Sequence, residues 1–138
     1  MRKQQNFRWE QLSLGTCYYP EHWDTGLWRE DLRRMKANGI FTIRIAEFAW
    51  NKIEPREGEF TFEFFDRFLD VAEEEQMKVI WGTPTATPPV WLTEKYPEAL
   101  NCRMDGVPYR HGMRRHYNYN SPKYQELSKR IVEKIAEH

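Results

Sequence analysis

The sequence predicts an α/β fold, the first three βα units of a (β/α)8 TIM barrel that is itself incomplete in this chain. Three observations predict it: a strand-then-helix pattern that occurs three times, a first turn too bulky to cradle a nucleotide, and a length of 138 residues where a whole barrel usually needs about 250. The repeated βα order implies right-handed crossovers, a parallel sheet and helices outside it. An open nucleotide-binding sheet wants a glycine-rich turn after its first strand. Here that turn is Tyr18-Tyr19-Pro20-Glu21-His22-Trp23, which cannot approach a pyrophosphate closely.

Residues 12–18 are a short mixed apolar run stopped at Pro20, and they read as the first strand, with residues 1–11 as an N-terminal extension and 12–138 as the barrel portion. Asp24 or Thr25 is placed to cap a helix whose Trp28, Leu32 and Met35 recur at helical spacing, and Asn38-Gly39 ends it. Residues 42–46 are β-branched enough for a second strand. A loop with Pro55 and Gly58 follows, then a helix with Phe65, Phe68, Leu69 and Ala72 on one face. Residues 78–82 read as the third strand. Residues 83–120 form a long connection broken by Pro84, Pro88, Pro89, Pro97 and Pro108, and loops that long in a compact domain are usually functional. Ser121-Pro122 is a cap followed by proline, opening a third helix striped with Tyr124, Leu127, Ile131 and Ile135.

Twenty-one basic and twenty-one acidic residues cancel, which argues against nucleic acid or an anionic membrane as partner and favours a neutral one. The N-terminal positive charge has no apolar stretch behind it, so a soluble, non-exported, cytoplasmic chain is expected. Cys17 and Cys102 show no metal-ligand or disulfide spacing and are expected to be reduced, half-buried thiols; no metal and no cofactor are expected. Six Trp, seven Tyr and eight Phe are many for the length, and aromatic faces suit the C–H faces of sugars as well as they suit a core.

In such barrels the ligand meets the C-terminal ends of the strands. Alternation in the second strand sends Ile43 and Ile45 towards the helices and Thr42, Arg44 and Ala46 inwards. A buried guanidinium needs a carboxylate or a ligand, and Glu47 is one candidate partner; the pair reads equally as barrel filling or as part of a site. Arg114-Arg115-His116, late in the third loop, is either a solvated basic patch or a donor fork for sugar oxygens.

Five ordered motifs carry a resemblance. Tyr19-Pro20-Glu21-His22-Trp23, Arg44-Ile45-Ala46-Glu47-Phe48-Ala49-Trp50, Glu54-Pro55 with Gly58, Gly82-Thr83-Pro84-Thr85-Ala86-Thr87-Pro88-Pro89 with Trp91-Leu92, and Arg114-Arg115-His116-Tyr117 leading to Asn120-Ser121-Pro122 resemble the N-terminal part of glycoside hydrolase family 42 β-galactosidases. The resemblance implies a retaining hydrolase of terminal non-reducing β-D-galactosyl residues. Such chemistry uses two carboxyl groups about 5–5.5 Å apart, one a proton donor and the other a nucleophile. Both are expected on later strands, beyond residue 138, so no catalytic residue is assigned within this chain and the chain alone is expected to be inactive. Arg114 matches the family arginine that hydrogen-bonds the galactosyl ring; Arg44 and Glu47 match the second-strand motif and are expected to shape the same pocket. Trp23, Trp50 and Trp91 are expected as pocket walls or core.

Some relatives carry a Cys after the Arg-Arg-His-Tyr run as a ligand of a four-Cys zinc site, whereas Asn118 stands here, so that form of site is not expected. The alternatives are a non-catalytic sugar-binding or interaction module, and another barrel glycosidase with a different sugar preference. Uncovered sheet edges lead to the further expectation that the chain is marginally stable, forms a homo-oligomer or joins the C-terminal remainder of a barrel.

Overall fold

In a computed structural model of the protein, residues 13–113 and 115–138 are described; the expected extension 1–11, Leu12 and Arg114 lie outside the described residues. In chain order the elements are β1 (Leu14–Cys17), α1 (Trp28–Ala37), β2 (Ile40–Ile45), α2 (Trp50–Ile53), α3 (Glu63–Glu74), β3 (Lys78–Trp81), α4 (Val90–Lys95) and α5 (Pro122–Glu137). Single 3₁₀ turns stand at Pro20–His22, Pro84–Ala86 and Pro97–Ala99.

The strands form one parallel sheet in the order β1-β2-β3. Its register aligns Cys17, Arg44 and Ile80 in one row and Thr16, Ile43 and Val79 in the next. Because successive side chains alternate between faces, the first row shares one face and the second the other. Ile43 and Ile45 are fully buried beneath the helices, as their alternation predicts. Trp28 of α1 stands edge-on to Phe68 of α3 at 5.2 Å, and Tyr18 stacks on the same ring at 5.7 Å. The two helices therefore cover one face, and burying this cluster of aromatic and branched side chains supplies most of the drive to fold.

The opposite face corrects one expectation. Arg44 points to that face but is not buried: its side chain is 47% exposed, because the row it shares with Cys17 and Ile80 lines an open trough with Gly15 and Thr42. For the same reason Cys17 is exposed rather than half-buried, and Cys102, on an irregular segment, is exposed too. Neither thiol is paired.

Helix boundaries follow their signals with one exception. Asn38-Gly39 ends α1, with Gly39 at φ +79°, a left-handed turn that only glycine adopts without strain. Ser121 caps α5 by accepting the Tyr124 N–H at 3.3 Å, with Pro122 in the first turn. Tyr124, Leu127 and Ile131 are buried as expected, and Ile135 is partly so. In α3, Phe65, Phe68 and Ala72 are buried and Leu69 is partly so. Neither Asp24 nor Thr25 caps α1. Asp24 Oδ1 instead accepts the Gly26 N–H at 2.7 Å, closing a turn ahead of a helix whose N-cap position is Leu27.

Both connections after β2 and β3 hold more structure than their prolines suggest. The first contains α2, and the long second one contains α4 and the antiparallel bridges Leu100↔Tyr117 and Cys102↔Pro108. They are tied together by Glu54, a fully buried carboxylate. Its Oε2 accepts from Trp50 Nε1 at 2.8 Å, its Oε1 accepts from the Gly58 N–H at 2.7 Å and is ion-paired with Arg130 of α5, and its backbone carbonyl accepts from Trp91 Nε1 at 3.0 Å. Removing one member of such a buried pair leaves the other uncompensated. Glu54→Ala is expected to destabilise the chain by about 3 kcal/mol in urea unfolding, and Glu54→Gln, which keeps an acceptor oxygen, by less; a loss below about 1 kcal/mol for the alanine variant contradicts this role.

Candidate functional site

The site is built where β2 and β3 end. β2 stops at Ile45 because Ala46 takes φ +65°, a left-handed conformation that costs an alanine about 1 kcal/mol and breaks the strand's alternation. That turn redirects Glu47, whose side chain is 18% exposed and ion-paired with Arg44 through Oε2. The Tyr19 hydroxyl, from the turn after β1, donates to the same oxygen at 3.4 Å.

Gly82 completes the placement. Its N–H donates to the Ile45 carbonyl at 2.9 Å, and a Cβ at this position would meet Glu47 Cβ at 2.9 Å and the Ile45 oxygen at 3.1 Å. Only the absence of a side chain at the end of β3 lets the Glu47 segment lie this close.

Glu47 borders a cavity of about 640 Å³ whose wall also carries Phe48, Thr87, His111, Arg115 and Tyr119. Ligand pockets span roughly 300–1,000 Å³, apolar for the most part with a few polar groups that fix orientation, and this one has that make-up. Two imidazoles support the wall, with ring centroids 4.8 Å apart. His116 is buried and its Nδ1–H donates to the Met113 carbonyl at 2.6 Å. Thr93 donates its hydroxyl hydrogen to the Val90 carbonyl, so His111 Nδ1–H is the donor in their 2.9 Å contact. Burial, then the neighbouring His116, pushes the His111 pKa below its ordinary value. Arg115, between these histidines in sequence, has φ +58°, a strained non-glycine residue on the cavity wall.

Of the residues named from sequence, the structure brings Arg44 and Glu47 together as an ion pair, and Arg114 lies outside the described residues. Trp50 is core, Trp91 is partly buried against it, and Trp23 is exposed; none of the three borders the cavity. Phe48, His111 and Tyr119 do, and sequence reasoning missed all three. Glu21 is also unanticipated, with both carboxylate oxygens buried and no hydrogen-bond partner among the described residues. Asn118 does not suit the four-thiolate zinc site, since its Oδ1 accepts from the Asn120 N–H at 2.9 Å in a local turn. Among the described residues no group of three or more His, Cys, Asp or Glu is placed to hold a metal ion.

Consecutive βα units on one parallel sheet, with a cavity of ligand size at the strand C-termini, place the chain in the α/β class to which barrels belong. Residues 17–138 match the glycoside hydrolase family 42 model, described as β-galactosidase. The chain is 48% identical over 124 residues to β-galactosidase BgaA of a Thermus species, covering 90% of this chain and 19% of that protein. It is equally identical over the same length to a β-galactosidase of Thermus thermophilus. Among solved structures, the β-galactosidase of the psychrophilic Marinomonas ef1 superposes with a TM-score of 0.85 at 44% identity, covering 91% of this chain and 19% of that one. The enzyme of the Antarctic haloarchaeon Halorubrum lacusprofundi does so with a TM-score of 0.85 at 41% identity, covering 90% and 19%. The chain belongs to glycoside hydrolase family 42, and it holds the first three βα units of that family's barrel. It spans 19% of the length of these relatives.

The phenol beside Glu47 gives the site a pH signature. Burial, then Cys17 and Glu47, push the Tyr19 pKa from 10.0 up to about 12. A phenol raised in the folded state stabilises the fold while it stays neutral. That contribution is present below pH 10 and is lost as pH rises from 10 towards 12. Thermal unfolding across this window is expected to fall less steeply in Tyr19→Phe than in the parent chain; identical slopes contradict the Tyr19 contact.

Proposed function

We propose that this chain supplies one wall of the galactosyl pocket of a retaining β-galactosidase, with Glu47, Arg44 and Arg114 as sugar-binding residues. The observation that carries the reading is the Arg44–Glu47 ion pair, set at the end of β2 by the Ala46 turn and the missing side chain of Gly82, with Glu47 on the cavity wall. A carboxylate accepts hydrogens from two neighbouring hydroxyls, and a guanidinium fork donates to hydroxyl oxygens, which is the pattern a pyranose presents. Arg114 joins them on the strength of its motif, and family membership supports galactose as the sugar.

The acid/base and nucleophile are expected from later strands, so the contribution of these residues is binding and orientation. Holding the sugar in place raises the rate of a reaction performed by groups that the rest of a barrel provides. The substrate is a neutral β-galactoside, in keeping with the balanced charge. The two exposed thiols favour a reducing, cytoplasmic compartment. The strand edges of β1 and β3 favour association with further strands, from a barrel remainder or from a second copy.

Isothermal titration with galactose, beside an assay with a chromogenic β-galactoside, tests the reading. Galactose is expected to bind, with no turnover by the 138-residue chain, and Glu47→Gln is expected to weaken binding at least about tenfold, the worth of one hydrogen bond to a charged group. Absence of galactose binding, or turnover by this chain, overturns it.

A further inference from the structure

Two imidazoles of the cavity wall stand outside the Arg44–Glu47 pair, and each is held through its Nδ1–H. His116 donates from Nδ1 to the Met113 carbonyl at 2.6 Å, and His111 donates from Nδ1 to Thr93 Oγ1 at 2.9 Å. A neutral imidazole whose hydrogen sits on Nδ1 keeps a lone pair on Nε2. In His116 that Nε2 is buried and has no hydrogen-bond partner among the described residues, in a residue only 4% exposed. The backbone fixes His116 as well: its N–H donates to the Met113 carbonyl at 3.2 Å and its carbonyl accepts the Asn101 N–H at 2.7 Å. A buried acceptor that accepts nothing destabilises a fold, so its presence calls for something to fill it.

The arrangement of the two rings suits a metal ion. Histidines that bind metal donate their second ring N–H to a carbonyl, carboxylate or similar acceptor, which fixes the tautomer and turns the other nitrogen towards the ion. Both rings meet that condition. Two imidazoles sharing one ion at nitrogen–metal distances of about 2.0–2.1 Å have ring centres about 4.5–5 Å apart. Here the centroids are 4.8 Å apart, with the planes inclined at 65°. We propose that His111 and His116 form, through Nε2, a two-histidine site for a borderline divalent ion such as zinc. Imidazole suits zinc, nickel and copper, whereas magnesium and calcium want oxygen ligands. No third His, Cys, Asp or Glu joins the pair among the described residues, so water completes the coordination and the ion is exchangeable. The site is separate from the four-thiolate form that Asn118 does not suit, and it departs from the expectation of no metal, which rested on cysteine spacing.

The test titrates the chain, stripped with EDTA and dialysed, with zinc chloride at about pH 7.5, where an ordinary imidazole is neutral. Histidine-ring ¹⁵N shifts, heats of binding and thermal unfolding are followed together. The Nε2 signals of His111 and His116 are expected to move in step and to saturate at one zinc per chain, while those of His22 and His138 stay in place. Magnesium chloride is expected to move none of them. His111→Ala, at an exposed position, is expected to weaken zinc binding at least about tenfold and to abolish the zinc-dependent rise in unfolding temperature. Thr93→Val, which removes the acceptor of the His111 Nδ1–H, is expected to weaken binding about tenfold. Movement of one imidazole alone, zinc held by Cys17 or Cys102 with the ring signals unmoved, or no zinc binding overturns the site. The ring signals of the parent chain decide this whether or not a variant folds. None of these results touches the galactoside reading, which galactose titration tests separately.

Discussion

The buried carboxylate of Glu54 is the constraint on which the arrangement at the strand ends depends. A charge removed from water must be matched on every side, and Glu54 meets that demand with the indole of Trp50, the Gly58 N–H and the Arg130 guanidinium. Those partners lie on α2, on the loop after it and on α5, while Trp91 of α4 reaches the Glu54 carbonyl. One residue thus fastens the connection after β2 to the connection after β3 and to the helix that closes the third unit. Both connections furnish the cavity wall, so its shape follows from this fastening.

Within that frame the polar part of the site is set by backbone conformation more than by side-chain choice. Ala46 accepts a left-handed turn and Gly82 forgoes a Cβ, and together they bring Glu47 beside Arg44. Arg115 carries a similar strain on the opposite loop. Strained non-glycine residues persist only where the surroundings hold them; Arg115 lines the cavity, and Ala46 directly precedes Glu47, which lines it too. The hydrophobic layer beneath, Ile43 and Ile45 against Phe65 and Phe68, is the rigid base that makes such holding possible.

Much of the fold was legible in the sequence because burial imposes a period. Ile43 and Ile45 alternate, Trp28 and Leu32 recur at helical spacing, and Ser121-Pro122 announces a helix start by its own chemistry. The Arg44–Glu47 pair was legible too, since the two are close in sequence. The rest depended on contacts between distant segments or on backbone turns without a compositional mark. Nothing about alanine signals φ +65°, and Arg130 lies 76 residues from Glu54, so neither the turn nor the fastening follows from local pattern. Arg44 was expected to be covered because alternation assigns a face; it does not say what packs on that face. Phe48 and Tyr119 looked like two more aromatic residues in an aromatic chain until the folded loops set both at the cavity.

The proposed sugar-binding surface lies at the C-terminal ends of β2 and β3 in a member of glycoside hydrolase family 42. Amide chemical-shift mapping of the ¹⁵N-labelled chain during titration with galactose tests it most directly. The largest shifts are expected on Glu47, Thr87 and Arg115, which share the cavity. Shifts centred instead on Gly39 and Met77, at the opposite ends of β2 and β3, or spread evenly along the chain, would contradict it.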